Sequence, residues 1–247
     1  MNDDLPRCLS ALDALRAADL SGHTGNPHGS WSPDLPLSPS LWEIFSSGDE
    51  LSADALALAL GQMHGNAEAP APSWLWVQDA DSMRRSGRPF LHGLPAPLRP
   101  GLIHVQARHG SDALWAMEEG VRCGAMAFVV GELWGDPKSL DFTATRRLVL
   151  AAERSGVPLL LLRREGTSNL SAARLRWRTR SAPAQDHRWN PQAPGSPTLE
   201  AELYRGRGFR PGTFLLSHGE GHEPGDRLHL VSDLRDRPLE PDQRAAG

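Results

Sequence analysis

Two continuous apolar runs, Met126–Gly131 (MAFVVG) and Pro158–Leu162 (PLLLL), bracket a helix-patterned segment, Asp141–Ser155 (DFTATRRLVLAAERS). A run of strand length without polar alternation suits a strand covered on both faces, the situation of a central strand in a parallel sheet. Parallel neighbours require a crossover, and the intervening helix supplies it. Gly156 stands where that helix should end.

The same rhythm extends on both sides. Leu41–Phe45 (LWEIF), Trp74–Val77 and Leu102–Gln106 read as strands. Ser52–Met63 (SADALALALGQM) reads as a helix with Ser52 as N-cap. Asp112–Arg122 (DALWAMEEGVR) reads as a second, capped by Ser111 or Asp112 and closed by Gly124. After residue 170 the rhythm changes: Leu175–Thr179, Glu202–Arg205 and Thr213–Ser217 follow one another without helices, which predicts antiparallel strands added at the sheet edge. The expected fold class is therefore α/β, with a mostly parallel central sheet, helices on both faces and antiparallel C-terminal strands. Residues 1–40 are expected to form an N-terminal helix (Leu5–Leu20, with Leu9, Leu12 and Leu15 at helical spacing) and a Pro-rich arm. Residues 41–218 form the domain, and residues 219–247 a polar tail, expected to be disordered beyond Arg235.

Charge and cysteine content exclude several function classes. The net charge is −4, so bulk electrostatics give no reason to expect nucleic acid. Lys138 is the single lysine among 26 basic residues, which restricts every lysine-dependent mechanism to one position. Cys8 and Cys123 are too few for a disulfide framework and lack zinc-site spacing. No apolar run reaches transmembrane length, and the start, Met1-Asn2-Asp3-Asp4, is acidic where a secretory signal is basic. A cytoplasmic protein with no membrane partner is expected.

A strand, a short loop and a helix, with a buried strand some 80 residues on, is the ground plan of a P-loop NTPase. The loop here is Ser46-Ser47-Gly48-Asp49-Glu50-Leu51-Ser52. A working phosphate loop, GxxxxGK[ST], brings backbone N–H groups to phosphate, neutralises it with a lysine and ligates magnesium with a hydroxyl. Only Gly48 and Ser52 fit that scheme; the lysine is missing, and Asp49 and Glu50 place negative charge where phosphate would sit. That repulsion is on the order of several kcal/mol. The phosphate loop (Ser47, Gly48, Asp49, Ser52) is thus degenerate, with no catalytic residue, cofactor or metal expected. Lys138, in Gly135-Asp136-Pro137-Lys138-Ser139, is no substitute, because Pro137 has no N–H to offer. Glu132 stands at the strand end that carries the magnesium-binding acid in such proteins, and with no phosphate loop opposite it reads as structural.

Three stretches carry a resemblance to a known family. They are Asp112–Gly124 (DALWAMEEGVRCG), the strand through Val130-Gly131-Glu132-Leu133, and Leu140–Leu148 (LDFTATRRL) with Ala151-Ala152-Glu153. Arg176-Trp177-Arg178 and Leu203–Gly208 (LYRGRG) fit as well. Over residues 40–218 the chain resembles the inducible mutagenesis protein A (ImuA) family, a RecA-like family of bacteria. The resemblance implies a RecA-like P-loop NTPase fold and a non-enzymatic accessory role in SOS-inducible, error-prone translesion DNA synthesis and repair. It also implies action beside a catalytically inactive Y-family polymerase homologue (ImuB) and an error-prone replicative-type DNA polymerase, with RecA and DNA as further candidate partners. Two alternatives stay open: a divergent ATP-binding P-loop ATPase, and a cell-division inhibitor like SulA.

Arg174, Arg176, Arg178 and Arg180 recur at period two (RLRWRTR). On a strand they share one face while Leu175 and Trp177 take the other. They are candidate contacts for DNA phosphates or an acidic partner, against a solvated edge strand guarded by charge. Arg84, Arg85 and Arg88 read as a solvated loop, and His218, Glu220 and His222 as a stretch broken by glycines rather than a metal site. Trp42, Trp74, Trp76 and Trp115 read as core, whereas Trp31 and Trp189 lie in Pro-rich segments where an aromatic can anchor a partner.

Overall fold

The structure, a computed structural model, describes residues 30–33, 35–64, 72–187, 189–190, 192–218 and 228–234. The helix expected at Leu5–Leu20, Cys8, Glu220, His222 and most of the C-terminal tail lie outside these residues.

Among the described residues nine strands form one sheet, in the order β3-β2-β4-β5-β1-β6-β7-β8-β9. They are β1 Leu41–Ser46, β2 Trp74–Gln78, β3 Leu102–Gln106, β4 Val129–Trp134, β5 Leu159–Arg164, β6 Leu175–Ala182, β7 Thr198–Gly206, β8 Gly212–His218 and β9 Leu228–Leu234. The pairings from β3 across to β6 are parallel. Those from β6 to β9 are antiparallel. The helices are α1 Ser52–His64, α2 Ala80–Ser86, α3 Gly110–Arg122 and α4 Phe142–Ser155. The result is a mostly parallel α/β sheet with helices on both faces, compatible with a RecA-like fold.

Alternation along each strand builds two cores. Trp42, Ile44, Trp76, Val130, Leu160, Leu162 and Trp177 turn to the α1 side and meet Leu56 and Leu60. Leu41, Leu75, Val77, Val129, Leu159 and Leu161 turn to the opposite side and meet Leu114 and Met117 of α3 and Leu148 of α4. Close packing of α3 needs Gly120, since a Cβ there would lie 2.3 Å from Leu75 Cδ2. α4 starts as its sequence suggests: the Asp141 carboxylate accepts the Ala144 N–H at 2.7 Å, and Gly156 ends the helix at φ 75°.

Several expectations are corrected. β6 pairs parallel with β1, so only β7, β8 and β9 run antiparallel. The reason is the link Glu165–Arg174, which returns along the α4 side, held by an Ala172 N–H bond to Thr145 Oγ1. β6 is consequently interior, not an edge strand. Ser52 does not cap α1; its hydroxyl donates to Thr179 Oγ1 of β6 at 3.0 Å. Neither Ser111 nor Asp112 caps α3, whose N-cap position is His109, without a side-chain bond. β4 starts three residues into the apolar run Met126–Gly131 and continues three residues past its end. Helix α2 occupies a segment read as a loop, and β9 lies in the segment read as tail. No helix among the described residues is long and apolar enough to cross a membrane.

Trp31 is 2% exposed, its ring 4.7 Å from Trp177 and 5.1 Å from Phe214, edge-on to both. It packs on its own sheet instead of awaiting a partner. Trp115, read as core, is 65% exposed, while Trp189 is exposed as its setting suggested.

Candidate functional site

In open parallel sheets the carboxyl ends of the strands are where ligands bind. Here that rim, at β1, β5 and β4, is filled by the protein itself. The buried run of β5 does not stop at Leu162, and Arg164 is only 2% exposed. Its guanidinium reaches between the β1–α1 loop and β4. Nε donates to Glu132 Oε1 at 2.8 Å, Nη1 to the Glu50 carbonyl at 2.6 Å, and Nη2 to Asp54 Oδ2 of α1 at 2.5 Å.

Glu132 is equally buried. Its Oε2 accepts from Gln78 Nε2 at 2.8 Å and from Trp76 Nε1 at 3.2 Å, so this carboxylate within β4 is held by three donors. Two carboxylates and one guanidinium leave the trio one negative charge in excess. Burial pushes the Asp54 carboxyl up to about 6, with Arg164 opposing and Glu132 reinforcing the shift.

The four loop residues singled out in the sequence are paired internally. The Gly48 N–H donates to Glu165 Oε1 at 2.6 Å, where a phosphate loop would donate to phosphate. Glu165 is the one non-glycine residue of positive φ among those described, at 54°. The ring of Trp134 lies on Gly48 so closely that a Cβ there would come within 2.4 Å of it. Arg85 in turn covers the Trp134 ring at 4.9 Å. The Ser47 hydroxyl donates to Asp49 Oδ1 at 2.8 Å and holds that carboxyl below its usual value. Ser52 is engaged with Thr179. Glu50 accepts both the Ser181 N–H and its hydroxyl, at 2.8 and 2.6 Å, tying the loop to β6.

Arg176, Arg178 and Arg180 alternate along β6 with Leu175 and Trp177, which lie in the α1-side core, and Arg174 directly precedes the strand. Each arginine has a carboxylate of its own. Arg174 pairs with Glu153 at 2.6 Å and Arg176 with Glu43 at 2.7 Å. Arg178 pairs with Glu202 at 3.3 Å and Arg180 with Glu200 at 2.7 Å. Arg176 is 3% exposed and stacks between Phe45 and Tyr204. Arg178 and Arg180 are the exposed members. Of the other basic residues, Arg84 pairs with Asp81 and Arg88 bonds Gln106, while Lys138 stands in the turn closed by the Leu140 N–H and Pro137 carbonyl at 2.9 Å. No cluster of three or more metal-ligand side chains exists among the described residues.

Sequence reasoning missed Arg164, Asp54 and Glu165. The available signal was a charged pair, Arg163-Arg164, directly after the apolar run of β5.

Fold and rim together define a class: an α/β protein with a mostly parallel sheet and a buried ion-pair network around Arg164 at the carboxyl ends of its central strands. Two curated relatives place it more narrowly. Protein ImuA of Caulobacter vibrioides strain NA1000 / CB15N is 32% identical over 228 residues, covering 87% of this chain and 85% of the relative. Protein ImuA of Caulobacter vibrioides strain ATCC 19089 / CIP 103742 / CB 15 matches to the same extent. The chain belongs to the ImuA family, and at the level of the family it is tied to inducible mutagenesis. No family model matches the chain.

Proposed function

We propose that this protein is a non-catalytic, RecA-like accessory factor in SOS-inducible, error-prone translesion DNA synthesis, acting through protein–protein contacts. Its partners are an ImuB-type inactive Y-family polymerase homologue and an error-prone replicative-type DNA polymerase. The observation that supports this reading is the occupation of the strand-end rim by Arg164. A nucleoside triphosphate there would have to displace a buried guanidinium from two carboxylates and a carbonyl, and take the Gly48 N–H from Glu165. Breaking such a buried network costs about 3–5 kcal/mol, before the repulsion by Asp49 and Glu50 is counted. A site closed this way suits a protein that keeps a scaffold for docking rather than for hydrolysis.

Calorimetric titration with magnesium ATP tests the non-catalytic half of the reading; no saturable binding is expected at millimolar nucleotide. Saturable binding in the micromolar range would establish the divergent ATPase instead. Co-purification of the tagged protein with the ImuB-type homologue from DNA-damaged cells tests the other half.

A further inference from the structure

The net charge of −4 conceals a local surplus of the opposite sign. Neither residues 166–185 nor residues 203–218 contain an aspartate or a glutamate. The fold sets these two stretches side by side, because β6 pairs with β7 and the β7–β8 turn lies at the amino end of β6. Leu175 stands opposite Gly206 there, and the Arg207 N–H donates to the Arg174 carbonyl at 2.8 Å. Arg174, Arg205, Arg207 and Arg210 gather at this corner of the sheet. Arg174 is neutralised, since its guanidinium donates to both oxygens of Glu153, at 2.6 and 3.1 Å. Arg205, Arg207 and Arg210 are exposed and make no side-chain hydrogen bond or ion pair with any described residue. Arg205 lies opposite Arg176, whose own charge is met by the buried Glu43. Three arginines at this corner are therefore left without a counter-charge among the described residues.

The turn that carries them has a fixed shape. Gly208, at φ 86°, makes a bend that a side chain would oppose. Phe209 packs back against the α1-side core, so no large apolar side chain of the turn is exposed. A protein interface is built around an apolar centre, and a membrane surface is held by an apolar face that inserts into it. This corner offers neither. It offers guanidinium groups, whose planar forks match phosphate oxygens, and a phosphate backbone is held by uncompensated cations of this kind. We propose that the β7–β8 turn binds the phosphate backbone of a nucleic acid through Arg205, Arg207 and Arg210, without reading its sequence. This contact goes beyond the function proposed above, which acts through protein surfaces.

Fluorescence anisotropy of the full-length chain with labelled single-stranded and duplex oligonucleotides, followed across a salt series, tests this. Three released counterions give a slope of log Kobs against log salt of about −2 for the single strand and about −3 for the duplex. The triple variant Arg205→Ala, Arg207→Ala, Arg210→Ala should weaken binding at least about tenfold and bring the slope toward zero. Arg207→Glu alone should weaken it as well. Lys138→Glu makes the same change of charge beyond the carboxyl end of β4, at the opposite rim of the sheet, and should leave binding unchanged. The three arginines are exposed and unpaired, so unchanged melting temperatures verify that the variants fold. Absence of wild-type binding at low salt overturns the proposal, and so does a triple variant with wild-type affinity and slope. An equal loss in Lys138→Glu and Arg207→Glu overturns it by making binding a matter of total charge. Displacement by polyglutamate as readily as by unlabelled oligonucleotide overturns it in favour of an acidic protein surface. None of these results bears on the co-purification that tests the functional reading.

Discussion

Replacing Arg164 by methionine probes the rim most directly. Methionine fills much of the same path but carries no charge and no donor. Three hydrogen bonds disappear, and Glu132 and Asp54 are left facing each other without a cation. Glu132 keeps its donors from Trp76 and Gln78, so the larger burden falls on Asp54. Removing one partner of a buried ionic group costs about 3–5 kcal/mol. For a chain of this size, that lowers the melting temperature by on the order of 10 °C. Urea denaturation read by tryptophan fluorescence measures the loss as a lower midpoint at unchanged slope. The triple variant Arg164→Met, Asp54→Asn, Glu132→Gln removes the charges along with the cation and should regain most of the stability, because a neutral replacement of a buried ion group is close to isoenergetic. A cost below about 1 kcal/mol for the single variant, or a triple variant no better than it, would refute the idea that the guanidinium is what holds this end of the sheet together.

Four further outcomes follow from the same structure. Asp54 has a folded value raised from 3.8 to about 6, so the folded chain takes up a proton between about pH 6 and 4 that the unfolded chain does not. Stability should therefore rise by on the order of 1–2 kcal/mol as pH falls from 7 to 5, and Asp54→Asn, compared at both pH values by thermal melting, should abolish that rise. Gly48→Ala should displace Trp134 from the loop at a cost of about 1–2 kcal/mol, seen as a shifted tryptophan emission and a lower denaturation midpoint. Asp141→Ala should cost about 1 kcal/mol through loss of the α4 cap, with the amides of the first turn of α4 exchanging faster in hydrogen-exchange measurements. Trp31→Ala should cost about 3–5 kcal/mol in chemical denaturation, well beyond what an exposed arm residue would.

The parallel core was legible because strands covered on both faces show as unbroken apolar runs, and α4 because Asp141 and Gly156 mark its ends. Other elements carried weaker signals. The apolar run marks β4 three residues early, since Glu132 reads as the end of a strand when it is a buried member of one. The direction of β6 depended on the Glu165–Arg174 link, whose path is set by tertiary bonds such as that of Ala172 to Thr145. The absence of the phosphate-loop lysine was plain, but what stands in the space was not. Charges are ordinarily assigned to solvent, and nothing local says that Arg164 turns inward to meet residues 32 and 110 positions away. Trp115 departs from the core expected of it for a simpler reason: it lies on the stripe of Glu119 and Arg122, not on that of Leu114, Met117 and Val121.

Trp31 fixes where the chain enters the domain. Wedged against Trp177 of β6 and Phe214 of β8, it roofs the junction at which the sheet passes from parallel to antiparallel pairing.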